Sequence, residues 1–454
     1  MNQDTICALA TANGIGAIGI IRVSGEQAIE ICEKCFDGKA LTQQKSHTVH
    51  YGFIKDGDEV IDEVMVSIFL APKSFTTENS VEISFHGSPH IGKRILEVLI
   101  KNGARMAKAG EFTMRAFMNG RIDLSQAESI ADLIASENEA SRKVALQQLK
   151  GGISQEISVL RNDLLNFVSL IELELDFAEE DVEFADRTAL VQLLQKIESK
   201  LKSLIDSFQY GNAIKSGVAV AIIGKPNAGK SSVLNVLLGE ERAIVTDIAG
   251  TTRDTLEESI QIKGIPLNII DTAGIRDTND LIEKIGVDKA KDLLTKADLV
   301  LYVVDTSDPL TKDDEEIMEL IEDKQTIVLL NKADLDQVVK VSDLKEKGFE
   351  QIVQISAKEQ TGIEELYQLI QDIFFEGHVS FNDEIYLTNM RHKTEVSEAL
   401  KSLAMVLQSI EDGMPEDFFS IDLLDAYEHL GFITGESVGE DLVNEIFAEF
   451  CMGK

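Results

Sequence analysis

The chain has 454 residues, of which 44% are hydrophobic and 27% charged, and its formal net charge at pH 7 is −36. This length exceeds what one hydrophobic core usually supports, so two or three domains are expected, and the composition argues against a disordered chain. The acidic excess also argues against a protein that simply coats nucleic acid, because phosphate binding depends on Lys and Arg.

The first ten residues, MNQDTICALA, contain an aspartate and no Lys or Arg before the apolar residues. No apolar run in the sequence approaches the length of a membrane span. A cytoplasmic protein without membrane contact is therefore expected.

The cysteines and histidines suggest no metal or disulfide chemistry. Four cysteines in so long a chain do not form a disulfide framework. The close pair Cys32 and Cys35 lacks a second Cys or His pair at zinc spacing, so a structural role is favoured over a redox or metal role. The same holds for His86 and His90, because no Glu follows the first histidine and no third ligand is apparent.

Residues 1–118 are predicted to form an α+β domain, because β-rich runs such as AIGIIRVSG, DEVMVSIFL and SVEISFHG accompany one or two helices. The stretch at 87–121, toward the end of this domain and just beyond it, contains seven basic residues but only two acidic ones, Glu97 and Glu111. The basic residues are Lys93, Arg94, Lys101, Arg105, Lys108, Arg115 and Arg121. This local excess predicts a docking surface for an anionic ligand or RNA.

Residues 119–213 and 378–454 are predicted to be helical. Ser125 and Glu128 fit a capping box at the start of the first segment. Apolar residues then recur at steps of three and four, which is the helical period. They are Ile153, Ile157, Leu160, Leu164, Phe167, Ile171 and Leu175, and later Val396, Leu400, Leu403, Leu407 and Ile410.

Residues 214–377 alternate short apolar strands with helices, which predicts one α/β nucleotide-binding domain. Helices flank this segment on both sides. Because domain termini often lie close together, the simplest interpretation is an α/β module inserted into a single helical domain. Two separate helical domains are the alternative.

The strongest motif begins this α/β segment. GKPNAGKS, from Gly224 to Ser231, follows the strand VAVAII and precedes a helix, which is the context of a phosphate-binding loop. In such a loop, backbone N–H groups and a helix N-terminus hold phosphates, Lys230 reaches the β and γ oxygens, and Ser231 binds Mg²⁺.

Three further motifs follow in order, each at the end of an apolar strand. DTAG begins at Asp271 after LNII, NKAD begins at Asn331 after TIVLL, and SAK begins at Ser356 after IVQI. Asp271 is suited to the magnesium shell. Asp334 is suited to the N1–H and 2-amino donors of guanine, which adenine lacks, so GTP is predicted rather than ATP.

These motifs and others give the chain an end-to-end resemblance to the tRNA-modification GTPase MnmE (TrmE) family. The combination of NGRIDLSQAESIADLI with the closing CMGK is the most specific feature. The resemblance implies a multidomain protein with an α+β folate-binding-like amino-terminal domain, an α-helical central domain and an inserted α/β Ras-like GTPase domain. It implies contact with GTP through Asn227, Ala228, Gly229, Lys230, Ser231, Ser232, Thr246, Asp247, Ile248, Ala249, Gly250, Thr251, Thr252, Asp271, Thr272, Ala273, Gly274, Asn331, Lys332, Asp334, Ser356, Ala357 and Lys358.

Ile275 follows DTAG where Ras-like proteins carry the glutamine that orients the attacking water. The resemblance implies that a K⁺ ion, enclosed when two GTPase domains meet, replaces that glutamine and an arginine finger. Its ligands would be Asn227, Thr246, Ile248 and Thr251. Thr252 would complete the magnesium shell with Ser231, and Glu283 would orient the water; without the resemblance, Glu283 is an ordinary acid at a helix start.

The resemblance also implies a site for 5-formyltetrahydrofolate or a related tetrahydrofolate in the amino-terminal domain. Its residues would be Arg22, Glu82, Arg121 and Lys454. A carboxylate can form two hydrogen bonds with the amide-like pterin, and Arg or Lys can bind the acidic tail of the folate. For Cys451, a nucleophilic or redox role and a buried structural role stay equally open.

The function implied is a K⁺-stimulated GTPase that acts as a homodimer, and as a heterotetramer with the FAD-binding flavoprotein MnmG (GidA), on C5 of the wobble uridine of certain tRNAs. The tRNA contacts would use either the basic stretch at 87–121 or the partner. A ribosome-assembly GTPase without one-carbon chemistry is the alternative, since it shares every nucleotide motif. A membrane-remodelling GTPase is disfavoured, because the sequence has no basic amphipathic stretch.

Overall fold

A computed structural model describes residues 4–136, 138–176, 187–240, 258–262, 265–270, 293–375, 385–436, 438–448, 450 and 453. The chain forms two compact units. The first unit comprises residues 1–135, 145–201 and 394–454, and the second comprises residues 136–144 and 202–393.

The amino-terminal part of the first unit is built on a seven-stranded sheet with the order β3-β4-β5-β6-β2-β1-β7. Neighbouring strands are antiparallel except β1 and β7, which are parallel. The strands are β1 Ile6–Leu9, β2 Ile18–Ser24, β3 Phe36–Gly38, β4 Thr48–Asp56, β5 Glu59–Phe69, β6 Ser80–His86 and β7 Arg105–Met106.

Two helices cover one face of this sheet, and a third follows it. They are α1 Ala28–Cys35, α2 Pro89–Lys101 and α3 Glu111–Met118. Ile21 of β2 and Ile83 of β6 are fully buried in the core beneath α1 and α2. Because side chains alternate along a strand, the residues next to them, Arg22 and Glu82, lie on the other face.

The other elements described in the first unit are helices. Its segments belong to α4 Leu124–Ala135, α5 Glu139–Leu149, α6 Gly152–Asp176, α7 Arg187–Ser216, α12 Met390–Glu411, α13 Glu416–Thr434 and α14 Glu440–Ala448. The predicted period of α6 is confirmed by buried Ile153, Ile157, Leu160, Leu164 and Ile171. The side chain of Leu175, the last residue of the predicted series, lies outside the described residues. Val168 is buried where Phe167 was expected, and Phe167 is half-buried.

The predicted capping box at Ser125 and Glu128 is wrong by two residues. The backbone N–H of Gln126 donates to the carboxylate of Asp123 at 2.8 Å, and the N–H of Asp123 donates to the side chain of Gln126 at 3.0 Å. Asp123 therefore caps α4, since its carboxylate is a strong acceptor for an N–H of the first turn. Ser125 is buried inside that turn.

The second unit is built on a six-stranded sheet with the order β13-β12-β11-β8-β10-β9. All neighbours are parallel except β10 and β9. The strands are β8 Val218–Ile223, β9 Glu258–Ile262, β10 Ile265–Ile269, β11 Leu299–Asp305, β12 Thr326–Asn331 and β13 Ile352–Gln354. The helices described around this sheet include α8 Lys230–Glu240, α9 Lys312–Leu320, α10 Val341–Lys345 and α11 Ile363–Phe375.

Helices cover both faces of this second sheet, so its central strands are buried throughout. Leu301 and Val303 of β11 pack in one core with α8 and α11. Tyr302 and Val304 of the same strand pack in the core on the other face, with α9. This is the continuous apolar pattern expected of parallel strands. Within the described ranges, no helix is long and apolar enough to span a membrane.

Candidate functional site

Three of the four predicted nucleotide motifs meet at one edge of the second sheet. Residues 224–229 follow β8, Asn331 ends β12, and Ser356 follows β13. These strands belong to the parallel part of the sheet, so their carboxyl ends point the same way. Strand order also changes direction at β8, because β10 lies on one side of it and β11 on the other. Such a switch point is where open α/β sheets bind ligands.

Two glycines of the phosphate loop have no room for a side chain. Gly224 has φ +151°, and a Cβ there would lie 2.3 Å from the carbonyl oxygen of Val303. Gly229 has φ +101°, and a Cβ there would lie 2.1 Å from Nδ2 of Asn331. Asn227, between them, is exposed and also has a positive φ of 60°. The loop therefore depends on glycine at both ends to pack against β11 and β12.

Lys230, the first residue of α8, folds back over the loop. Its Nζ donates hydrogen bonds to the carbonyl oxygens of Gly224 and Lys225, both at 2.8 Å. These two bonds direct the ammonium group toward the loop, because an ammonium group is a donor only. Ser231 and Ser232 follow in the first turn of α8, where backbone N–H groups attract phosphate.

Asn331 joins the phosphate loop to the SAK segment. Its Nδ2 donates to the carbonyl oxygen of Ala228 at 2.9 Å, and its Oδ1 accepts the N–H of Ala357 at 3.1 Å. Asn331 and Ala357 are buried. One side chain thus fixes two of the predicted nucleotide segments relative to each other.

Asp334 is exposed and its carboxylate is oriented by one neighbour. Oγ of Ser356 donates to Oδ1 of Asp334 at 2.6 Å. This hydrogen bond, with the nearby charges of Lys358 and Lys332, lowers the pKa of Asp334 despite some desolvation. The group is therefore an ionised acceptor at neutral pH, as pairing with two guanine donors requires. Lys358 is exposed beside it and lies 3.6 Å from Glu359.

Lys332 pairs with Asp305, which ends β11 and was not predicted from the sequence. Oδ1 of Asp305 also accepts the N–H of Ser307 at 2.9 Å and its hydroxyl at 2.6 Å. Burial raises the pKa of Asp305, but the bonds from Lys332 and Ser307 outweigh it and lower the pKa. One feature of the sequence could have predicted a role for Asp305, namely its position at the end of the apolar run LVLYVVD. Parallel strands of one sheet end at the same edge, so this residue is expected beside the nucleotide motifs.

In the first unit, Arg22 and Glu82 are paired across neighbouring strands. They are register partners on β2 and β6, and Nη2 of Arg22 lies 2.9 Å from Oε1 of Glu82. About a quarter of each side chain is exposed (22% and 28%). The pair is therefore accessible to a ligand on the sheet face not covered by α1 and α2.

Phe75 brings the third predicted folate residue to the same place. The guanidinium of Arg22 lies 5.4 Å from the centroid of the Phe75 ring, and that of Arg121 lies 5.3 Å from it. Arg121 also donates a hydrogen bond to the carbonyl oxygen of Ser74. Cations within about 6 Å of a ring face are attracted to it, so one aromatic ring holds both arginines in place.

Gly453, next to the last residue, also lies in this region. Its φ is +87°, and a Cβ there would lie 2.1 Å from the carbonyl oxygen of Leu9. Leu9 ends β1 and is the register partner of Ile21, the neighbour of Arg22. The backbone at Gly453 therefore reaches the strand beside the paired Arg22 and Glu82.

Comparison with known proteins identifies the family of the chain. A model of the MnmE helical domain matches residues 124–451, and a model of the amino terminus of the GTP-binding protein TrmE matches residues 5–121. Proteins named tRNA modification GTPase MnmE are similar over 100% of both chains: 52% identical in Lachnoclostridium phytofermentans, 48% in Bacteroides thetaiotaomicron and 44% in Bacillus cereus. The chain belongs to the MnmE family of tRNA-modification GTPases.

Several residues that the MnmE resemblance singles out lie outside the described residues. They are Thr246, Asp247, Ile248, Ala249, Gly250, Thr251, Thr252, Asp271, Thr272, Ala273, Gly274, Glu283, Cys451 and Lys454. Of the predicted K⁺ ligands, Asn227 is described. Of the residues predicted for the Mg²⁺ shell, Ser231, Thr252 and Asp271, Ser231 is described.

The basic stretch at 87–121 is largely neutralised by carboxylates of the same chain. Five of its seven basic residues lie within 4.0 Å of an acidic group: Lys93, Arg94, Lys101, Arg105 and Arg115. Arg105 and Arg115 both contact Glu111, which is buried. The predicted docking surface for an anion is therefore much weaker than the sequence suggested, because tertiary neighbours supply the opposing charge.

Cys32 and Cys35 are free, buried thiols. Burial raises the pKa of Cys35 to about 11 and raises that of Cys32 well above its usual range. Thiols in this state are poor nucleophiles and metal ligands, which agrees with the predicted structural role. The described parts of the chain contain no cluster of three His, Cys, Asp or Glu residues able to hold a metal ion.

Proposed function

We propose that this chain hydrolyses GTP to GDP and phosphate, and that hydrolysis is a switch for the modification of C5 of the wobble uridine of certain tRNAs. The observation that carries the proposal is the bridge made by Asn331 between the phosphate loop and the SAK segment. It holds the phosphate and base motifs in one arrangement within a chain of the MnmE family.

The nucleotide roles follow from the positions of the described residues. Gly224 and Gly229 let the loop backbone approach phosphate closely, and Lys230 would hold the β and γ oxygens. Asp334 would accept the two guanine donors. A Mg²⁺ ion would be held by Ser231 and Thr252 and, when bound, would neutralise phosphate charge. The hydroxyl of Ser231, in the first turn of α8, fits this donor set.

We infer that K⁺ stimulates hydrolysis, since Ile275 has no side-chain group that could orient water. Asn227 fits a role as ligand, because its exposed side chain projects from the phosphate loop at a positive φ. Thr246, Ile248 and Thr251 would supply the other oxygens, and the ion when bound would add positive charge near the β and γ phosphates. Glu283 would position the water.

For the first unit, we propose a site for 5-formyltetrahydrofolate or a related tetrahydrofolate as one-carbon donor. Glu82 would grip the pterin, while Arg22 and Arg121, held by Phe75, and Lys454 would bind anionic groups. Gly453 fits this assignment, because the backbone one residue before Lys454 lies against β1. Cys451 is assigned no step.

The proposed assembly is a homodimer that joins the FAD-binding flavoprotein MnmG in a heterotetramer and acts on tRNA in the cytoplasm, where that substrate is found. The proposed domains are 1–118 for folate binding and dimerisation, 119–213 and 378–454 for the helical domain, and 214–377 for the inserted GTPase domain. This division assigns the two ligand sites to separate domains.

Hydrolysis rates in K⁺ and Na⁺ at equal ionic strength test the GTPase part of the proposal. The rate should be high in K⁺ and low in Na⁺, and Asn227→Ala should remove the difference while GTP still binds. Asn235→Ala, a change at an exposed position of α8, is the matched control. Equal rates in the two salts would exclude the K⁺ mechanism.

Deleting the gene and measuring wobble uridines by mass spectrometry tests the cellular role. The C5 modification should disappear and should return with the wild-type gene but not with Lys230→Ala. Intact wobble uridines in the deletion strain would exclude the role. A ribosome-assembly GTPase would give that result, and isothermal titration with a reduced folate should then show no binding.

A further inference from the structure

We propose that Lys225 and the buried Asp314 form an ion pair that positions Lys230 for binding the β-phosphate. Lys225 and Asp314 are then positioning residues of the nucleotide site. This inference rests on the proposed binding of GTP. Lys225 is the second residue of GKPNAGKS, and the phosphate-loop motif itself requires no particular residue there. Asp314 lies in the first turn of α9.

The side chain of Lys225 is anchored at α9. Its Nζ lies 2.7 Å from Oδ2 of Asp314, and the two side chains are 15% and 1% exposed. The same Nζ is 3.4 Å from the carbonyl oxygen of Pro309 and 3.5 Å from Oγ1 of Thr311. An ammonium group in such surroundings has three acceptors and little solvent, so its position is well defined.

The carboxylate of Asp314 is fixed from both sides. Oδ1 accepts the hydroxyl of the buried Tyr302 at 3.0 Å. Oδ2 accepts the N–H of Thr311 at 2.7 Å and its Oγ1–H at 3.1 Å, which completes a capping box at the start of α9. A carboxylate with this many partners cannot move toward or away from Lys225 without breaking bonds to β11 or α9.

The backbone of Lys225 continues the chain of contacts to Lys230. Its carbonyl oxygen accepts a hydrogen bond from Nζ of Lys230 at 2.8 Å. The same residue is therefore tied by its side chain to Asp314 and by its carbonyl to the ammonium that faces phosphate. The N–H of Ala228 also donates to this carbonyl, at 3.3 Å. If the side chain of Lys225 is released, the carbonyl keeps that backbone bond but loses its anchor at α9, so this acceptor no longer holds Lys230 as precisely.

The arrangement predicts an effect on binding of the β- and γ-phosphates and none on binding of the α-phosphate or the base. Lys230 contacts the β and γ oxygens in a phosphate loop, whereas the α-phosphate and guanine are held by other groups. Binding of GDP should therefore depend on Lys225, while binding of GMP should not. A general disturbance of the loop or of the fold would weaken both nucleotides alike.

The test is equilibrium binding of GDP and GMP to the full-length protein and its variants, with GMP measured at millimolar concentration by competition and ligand-observed NMR. Lys225→Met should weaken GDP binding about tenfold or more, the effect of losing one charge-assisted hydrogen bond, and leave GMP binding within about twofold. Lys225→Arg retains the positive charge beside Asp314 and should restore GDP binding to within about threefold of the wild type.

Removing Lys225 alone leaves the Asp314 carboxylate buried without its cation, which destabilises a protein. The double variant Lys225→Met with Asp314→Asn removes that charge and keeps the GDP test usable if the single variant unfolds. Lys347→Met is the matched control, because Lys347 pairs with the adjacent Glu315 at 3.4 Å on the surface. It should change neither affinity.

Equal loss of GDP and GMP binding, or unchanged GDP binding in a folded variant, would overturn the positioning role. Absence of GDP binding in the wild-type protein would instead contradict the proposed function. The two failures are therefore distinguishable.

Discussion

The side-chain amide of Asn331 donates a hydrogen bond of 2.9 Å to the carbonyl oxygen of Ala228, although 103 residues separate them in the chain. The bond joins the end of β12 to the loop after β8. The other end of the same amide accepts the N–H of Ala357 after β13. Asn331 therefore links the two loops by hydrogen bonds, in addition to any contact that it makes with nucleotide.

Asn331→Ala should weaken guanine-nucleotide binding and lower stability. The change leaves the buried carbonyl of Ala228 and the buried N–H of Ala357 without partners, at a cost of about 1–3 kcal/mol. Thermal unfolding and GDP titration would measure the two effects. Asn235→Ala, at an exposed position of α8, is the control. An unchanged melting temperature for Asn331→Ala would show that the hydrogen bonds of Asn331 to Ala228 and Ala357 do not stabilise the protein.

Asp334→Asn should reduce the preference for GTP and increase binding of xanthosine triphosphate. The substituted amide offers a donor where the 2-amino group of guanine needs an acceptor, whereas xanthine presents a carbonyl there. Competition between the two nucleotides measures the preference. Asp336→Asn, two residues away and also exposed, should leave it unchanged. An unaltered preference in Asp334→Asn would contradict the assignment of NKAD to the base.

Gly453→Ala should weaken binding of a reduced folate while GTP affinity is retained. The methyl group would lie 2.1 Å from the carbonyl oxygen of Leu9, and φ +87° is unfavourable for alanine, so the backbone there must move. Arg22→Ala should also weaken folate binding, by roughly 1.5–3 kcal/mol, through loss of charge-assisted bonds. Isothermal titration checks both.

Gly439→Ala is the matched control for that experiment, because nothing lies within 4 Å of a Cβ at Gly439. It should bind folate as the wild type does. Wild-type folate affinity in both Gly453→Ala and Arg22→Ala would remove the support for the site in the first unit.

Glu111→Gln should lower the stability of the protein at neutral pH. It should also make stability fall less steeply as the pH is lowered. Burial raises the pKa of Glu111, but hydrogen bonds from Arg105 and from the N–H of Lys108 outweigh it and lower the pKa. A lowered folded pKa contributes stability above the unfolded value of about 4.3, and that contribution is lost as pH falls through the folded value.

Melting temperatures between pH 7 and pH 3 measure this effect. Glu97→Gln is the control, since Glu97 is a surface residue 3.9 Å from Lys93. An identical pH profile for wild type and Glu111→Gln would show that the ion pairs of Glu111 with Arg105 and Arg115 do not contribute to acid stability.

The sequence alone determined the class of fold and the order of its parts. Strand-ending motifs predicted β8, β10, β12 and β13 and the nucleotide segments that follow them, because a motif beside an apolar run is a local feature. The helical periods of α6 and α12 were equally local. The start of α4 was misplaced by the sequence, since Ser125 and Asp123 both offer a capping oxygen and packing selected the aspartate.

Only the tertiary structure decided which side chains share a site. Phe75 contacts both Arg22 and Arg121, and Lys225 pairs with Asp314, although these residues are distant in the chain. In the basic stretch at 87–121, long-range contacts weaken a site that the sequence predicted. The charge of this stretch is evident from the sequence, but Arg94 pairs with Glu59 of β5 and Arg105 with Asp4, which lie far from them in the chain. Long-range pairing depends on the folded path of the chain, which no local pattern of residues encodes.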